Sequence, residues 1–237
     1  MNDIIQSDVL YEDNHLIVIN KKPSEIVQGD KTGDIPLSEK VKEYLKKKYN
    51  KPGNIFCGVI HRVDRPASGV IVFAKTSKAL ARMNELFRTK EIQKNYWAIV
   101  KEKPERESDY LIHYLKKNQQ KNISHASIPD IQGYLKSEME YKLLCSSDNY
   151  HLLEIKLHTG RHHQIRAQLS AIGCPIKGDV KYGYRRTNQN ASIHLHAREI
   201  EFIHPVSKKN ILITASPPDE ILWNVFMKMI GKEHLKK

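Results

Sequence analysis

Apolar positions in the first hundred residues fall into short alternating runs separated by polar turns. Val9-Leu10-Tyr11 and Leu16-Ile17-Val18-Ile19 read as two strands around the turn Glu12-Asp13-Asn14-His15, and Lys21-Lys22-Pro23 ends that hairpin. Residues 28–34 are polar and rich in turn formers, which predicts a surface loop. A helix should follow, because Leu37, Val41, Tyr44 and Leu45 share one face, with Pro36 near its start. Lys46-Lys47-Lys48 lie near its end, where cations suit the helix dipole, and read as a solvated terminus. After a break at residues 50–54, residues 70–74 predict a strand. Thr76 then stands where it can cap a helix that buries Leu80, Met83 and Phe87. Residues 94–100 alternate as a strand, with Tyr96, Ala98 and Val100 on one face and Asn95, Trp97 and Ile99 on the other.

In the second half, residues 116–122 are rich in lysine and glutamine and read as a loop tip. Residues 138–144 and 150–157 predict a hairpin around Ser146-Ser147-Asp148-Asn149. A helix carrying Ile165, Leu169 and Ile172 on its buried face should stop at Gly173. Arg166 is one residue off that apolar line, so it is expected to point sideways from the first turn rather than into the core. Residues 177–183 form a glycine-punctuated loop, and residues 193–197 and 211–215 read as strands. Pro217-Pro218-Asp219 opens a last helix packed through Ile221, Leu222, Val225, Phe226, Met229 and Ile230. No repeat or linker interrupts this order, which predicts a single domain over residues 1–237. Hairpins occur beside strand–helix pairs. The expected class is therefore α+β, a mixed and largely antiparallel sheet decorated by helices, rather than a doubly wound α/β fold.

Hydrophobic residues (40%) and charged residues (28%) are in the ordinary soluble balance across 237 positions, but a net charge of +12 is not ordinary. It favours a polyanionic partner, nucleic acid ahead of an anionic membrane. No apolar run is long enough to cross a bilayer, and the first residues lack the basic-then-apolar layout of a secretory signal. Cys57, Cys145 and Cys174 are odd in number and far apart, as expected of packed thiols in a cytoplasmic protein.

Two stretches carry chemistry. In His61-Arg62-Val63-Asp64-Arg65-Pro66-Ala67-Ser68-Gly69, one acidic residue sits among bases. The arginines favour the charged form of a carboxylate, which suits either an anion held ready at a binding surface or a salt-bridged turn. In His158-Thr159-Gly160-Arg161-His162-His163-Gln164-Ile165-Arg166, the spacing of His158 and His162 raises a metal site. Thr159-Gly160 spoils the helical geometry, no carboxylate or thiolate joins the set, and cationic Arg161 disfavours a dication, so no metal is expected. Ser68 lacks the nucleophile-elbow pattern. Gly160, Gly178 and Gly183 make neither a dinucleotide fingerprint nor a P-loop.

Taken in order, these two stretches, Lys94-Asn95-Tyr96-Trp97-Ala98-Ile99-Val100, Gly178-Asp179-Val180-Lys181-Tyr182-Gly183 and Leu195-His196-Ala197 resemble the RluA-like family of RNA pseudouridine synthases. The opening hairpin, from Tyr11-Glu12-Asp13 to Asn20-Lys21-Lys22-Pro23, does so too, and the match covers nearly the whole chain. The resemblance implies the pseudouridine synthase fold and an isomerase acting on uridine in structured RNA, tRNA or rRNA, without metal or cofactor. Asp64 matches the essential aspartate, acting as nucleophile on ribose or base or drawing a proton from the ribose. Tyr96 matches the tyrosine that stacks on uracil and assists the final proton removal, and Arg166 the basic partner of the aspartate. Arg62 matches a residue that reaches into RNA as the target nucleotide leaves its stack, a flip that costs a few kcal/mol. Leu195 matches an apolar residue lining the uracil pocket, though strand core serves equally well. His61, Arg65, Arg161, His163 and Gln164 are further candidates for RNA contact, with structural roles as the alternative.

Val63 stands where leucine is common in the family, Ala67 where threonine is common, and Lys21-Lys22-Pro23-Ser24 departs from the usual asparagine–lysine–proline run. A separate N-terminal RNA-binding domain is not expected, which leaves target selection to the basic surface of a monomer with no membrane partner. The competing reading is a non-catalytic RNA-binding or RNA-chaperone module on the same scaffold.

Overall fold

The computed structural model describes residues 6–30 and 32–234. In chain order its elements are β1 (Val9–Glu12), β2 (Leu16–Lys21), α1 (Leu37–Tyr49), β3 (Gly58–Val59), β4 (Ser68–Ala74), α2 (Ser77–Arg88), β5 (Gln93–Val100) and β6 (Ser108–Asn118). They continue with β7 (Ile123–Ser127), β8 (Leu135–Ser146), β9 (His151–Leu157), α3 (Gln164–Ala171), β10 (Leu195–Ile203), β11 (Asn210–Thr214) and α4 (Ile221–His234). The α+β class holds, with antiparallel pairing dominant. The chain divides into two compact units, one of residues 1–94 and 197–216, the other of residues 95–196 and 217–237.

In the first unit β1, β2 and β4 pair antiparallel, with Ile19 opposite Ile71 and Lys21 opposite Gly69. β4 is buried along its whole length, which explains why its sequence, Ser-Gly-Val-Ile-Val-Phe-Ala, is an unbroken small or apolar run rather than an alternating one. One face of this sheet packs Val18, Val70 and Val72 with Met83 of α2 and Phe202 of β10. Thr76 caps α2 as its sequence predicts, its hydroxyl accepting from the Ala79 amide at 3.1 Å. Such a cap contributes about 1 kcal/mol. The three lysines ending α1 are exposed, as a solvated terminus should be, and Lys48 reaches back to β1, its Nζ 2.8 Å from Glu12 Oε2 and over the Tyr49 ring.

The second unit is built on the antiparallel order β5-β9-β8-β6-β7. β6 and β7 contradict the expected loop over residues 116–122, because the strand runs to Asn118 and only residues 119–122 turn. The signal for β6 lies in Leu111, His113 and Leu115, which alternate inward, but the exposed large apolar residues Tyr110 and Ile112 beside them blur it. α3 departs differently. Gln164, Ile165, Arg166, Ala167, Gln168 and Leu169 are all buried, so the helix is enclosed on every side rather than amphipathic. Gly173, at φ +76, ends it as expected.

Candidate active site

Asp64 opens a turn closed by the Ala67 amide donating to its carbonyl at 3.0 Å, and its side chain is half-buried. Beneath the turn lies a residue that pattern reading passed over. Lys21 is completely buried, and its ammonium donates to the carbonyls of Lys22 (3.0 Å), Arg65 (3.1 Å) and Ala67 (2.6 Å). Two of those carbonyls belong to the Asp64 turn, so one cation clamps it, and the Ser24 amide adds a bond to the Arg65 carbonyl at 2.9 Å. Burial pushes Lys21 down to about 7, against the pull of Glu25 and Asp64. The signal was present in the sequence: Lys21 continues the inward row of Ile17 and Ile19, and a charge on an apolar row needs a buried partner.

Lys21→Met should therefore destabilise the protein by on the order of 3 kcal/mol, through carbonyls stripped of their donor. A pH signature goes with it. The folded value, about 7, lies below the ordinary 10.5, so the unfolded chain holds the proton more tightly between them. Lys21's contribution to stability is lowest below pH 7 and rises as pH increases through that window. Urea melts from pH 7 to 10 should show the gap between wild type and Lys21→Met widening with pH, and a constant gap would contradict this account.

His61, ahead of Asp64 in the same stretch, is tied to β4 and α2. Its Nε2 accepts the Val72 amide at 3.1 Å, its ring stacks on Phe87 at 5.1 Å, and Lys94 Nζ lies 5.5 Å from the same phenyl ring. Burial, with Lys94 nearby, pushes His61 down to about 3, so the imidazole is neutral with its proton on Nδ1. Arg62 is exposed, and the exposed Arg65 guanidinium reaches Asp34 at 2.6 Å.

In the second unit Tyr96 lies in β5 opposite Ile155 of β9, with both of its strand neighbours on that pair also in register. Residues 96–100 are buried on both faces, which the alternation in sequence did not anticipate. Leu195, at the start of β10, is buried as well. Gln164 clamps its own loop: its Oε1 accepts from the Thr159 hydroxyl (2.8 Å) and the Arg161 amide (3.0 Å), and its Nε2 donates to the Glu138 carbonyl (3.0 Å). Arg161 is exposed, with Nε donating to the Lys136 carbonyl at 3.3 Å. His163 begins α3 in the left-handed region at φ +53, its ring 3.8 Å from that of His162 and its Nδ1 3.0 Å from the Tyr182 hydroxyl.

Arg166 is the sharpest departure from pattern. The residue is only 3% exposed, and its guanidinium donates to Asp179 through Nε (2.6 Å) and Nη2 (2.8 Å). The Tyr182 ring lies 4.9 Å from the guanidinium carbon. Among the described residues no three His, Cys, Asp or Glu side chains gather as a metal site, and no helix is long and apolar enough to cross a membrane.

Comparison with known proteins bears on this geometry. The sequence profile for RNA pseudouridylate synthase matches residues 15–171. The tRNA pseudouridine synthase C of Haemophilus influenzae is 30% identical, with 96% of this chain aligned to 99% of that protein. The ribosomal large subunit pseudouridine synthase C of Vibrio cholerae is 31% identical over 87% of this chain, which spans 64% of that longer protein. Among solved structures, human RNA pseudouridylate synthase domain containing 4 shares the fold, with a TM-score of 0.75, 23% identity and coverage of 93% and 92% of the two chains.

Proposed function

This chain belongs to the RNA pseudouridylate synthase family, and we propose that Asp64, Tyr96 and Arg166 carry its reaction. It is an isomerase acting on RNA: the bond from ribose to N1 of uracil breaks, a bond to C5 forms, the hydrogen displaced from C5 leaves as a proton, and N1 ends with a proton in place of the ribose. Family membership decides for catalysis over a binding-only scaffold.

In this reading Asp64 acts as nucleophile on ribose or base, or draws a proton from the ribose. The Tyr96 ring stacks on the uracil and its hydroxyl helps to remove the final proton, while Arg166 supplies the cation that compensates the carboxylate as it loses hydration. The observation that carries the reading is the Asp64 turn itself. A fully buried ammonium bonded to two of its carbonyls holds the carboxylate's backbone in place, and such preorganisation is what a reacting group requires.

RNA contacts are assigned by exposure. Exposed Arg62 and Arg161 are suited to RNA, Arg62 filling the space left by the flipped nucleotide, and Arg65 joins them by exchanging Asp34 for a phosphate. His61, His163 and Gln164 serve the loops that present these residues, and Leu195 adds apolar lining. Two arginines on phosphate, Arg65 and Arg161, predict a slope of log affinity against log salt of about −1.5 to −2. Filter binding between low and moderate salt measures it, and a flat line would remove the phosphate contacts from the proposal.

The substrate is a structured tRNA or rRNA, as the names of the relatives suggest. The protein works as a monomer in the cytoplasm, a compartment that its three cysteines, thiols rather than disulfides, suit. Mapping pseudouridine in total RNA from cells with and without the protein tests the activity and names the site. A map identical in both would overturn the assignment of a tRNA or rRNA target.

A further inference from the structure

We infer that Asp179 and Tyr182 are the positioning residues of Arg166, and that the short turn carrying them sets the direction in which the guanidinium acts. The inference rests on Arg166 serving the reaction as proposed above, and it concerns residues to which that reading gives no part.

A long arginine side chain places its charge well only when its rotamers are restricted in advance, since its rotamer freedom is otherwise lost on acting. Here the restriction is twofold. Asp179 accepts from Nε and Nη2 together, along one edge of the guanidinium, and a carboxylate matched to that edge sets its plane as well as its location. The Tyr182 ring then backs the guanidinium at 4.9 Å. Because one edge is committed to Asp179, the edge carrying Nη1 is the one turned to other acceptors.

Asp179 and Tyr182 are themselves held. The amides of Tyr182 and Tyr184 both donate to the Asp179 carbonyl at 3.1 Å, closing the chain around the 3-10 turn Val180–Tyr182. The Tyr182 hydroxyl accepts the Ser124 amide of β7 at 2.7 Å and meets His163 Nδ1 at 3.0 Å. His163 sits in a backbone region that costs a non-glycine residue free energy unless its surroundings hold it there. The hydroxyl of Tyr182 therefore ties His163, the residue just ahead of Arg166's helix, to the same turn that grips the Arg166 side chain. A buried pair serving stability alone would need the fork, but not the ring behind it or the link to the helix start.

The test measures single-turnover isomerisation, RNA affinity and thermal unfolding in the full chain. Asp179→Asn keeps the shape and is expected to lower the rate on the order of 100-fold, as for a misplaced reacting group, with RNA affinity little changed. Tyr182→Leu should lose more rate than Tyr182→Phe, which retains the ring. Since Asp179→Asn also takes a charged acceptor from a buried arginine, and a weakened fold could lower the rate by itself, a rescue experiment decides. In Arg166→Ala, millimolar guanidinium should restore part of the rate, because Asp179 still recruits and orients it. In Arg166→Ala with Asp179→Asn, both charges are gone together, the fold is spared an unpaired ion, and rescue should vanish. Equal rescue in both backgrounds would overturn the role of Asp179. An inactive Arg166→Ala beside a folded Asp179→Asn of wild-type rate would overturn the inference alone, whereas a fully active Arg166→Ala would overturn the reading of Arg166 on which it rests.

Discussion

Asp64→Asn abolishes isomerisation, with the rate down on the order of 10⁴-fold or more, while fold and RNA affinity persist. Asparagine has the shape of aspartate but is neither a nucleophile nor a base at neutral pH, so each of the chemical routes open to Asp64 is closed by the same change. The turn survives because its main bonds are made by backbone atoms: the Ala67 amide to the Asp64 carbonyl, and Lys21 to the carbonyls of Lys22, Arg65 and Ala67. Release of the C5 hydrogen from labelled uridine reports the rate, filter binding reports the affinity, and a thermal melt reports the fold. Full activity in this variant would remove Asp64 from the reaction. Loss of activity together with loss of the fold would instead make the carboxylate part of the structure of the turn.

Gly69→Ala carries the largest expected effect on stability, about 3–5 kcal/mol. Gly69 follows the Asp64 turn by a few residues, near the start of β4, and its φ of +113 is a backbone conformation that favours glycine. Crowding adds to that strain. A β-carbon there would lie 2.2 Å from the Ala197 carbonyl oxygen and 2.6 Å from the Ala197 nitrogen, which are backbone atoms of β10 that cannot swing aside. Gly53 provides the comparison, for at φ +78 it has open space around it, so Gly53→Ala bears the conformational cost without the collision. Urea melts of the two variants should separate clearly. If they matched, the close approach of β4 and β10 at Gly69 would be wrong.

Much of the fold was legible because neighbouring residues settle it. The row Leu16 to Ile19, the capped α2 and the hairpin of β8 and β9 are specified by period and by turn residues, both of which are local properties. β6 and β7 were less so, since Leu111, His113 and Leu115 alternate inside a stretch whose exposed partners include large apolar residues such as Tyr110 and Ile112. At the candidate site the residues proposed to react stand out in the sequence too, Asp64 as the one acid among arginines and Tyr96 and Arg166 through the resemblance to the pseudouridine synthases.

By itself, then, the sequence determined the α+β class, a basic chain suited to RNA, and the identity of Asp64, Tyr96 and Arg166 as the residues to watch. Only the tertiary structure decided what surrounds them. Burial on all sides of α3 turned an arginine expected to point sideways into a buried one, and its carboxylate partner came from a turn thirteen residues away. Lys21 became the clamp of the Asp64 turn across more than forty residues. The physical reason is the same in both cases. Hydrophobic period records which way a side chain faces on its own element, but the desolvation that makes a buried charge seek a partner depends on what packs over it from elsewhere in the chain.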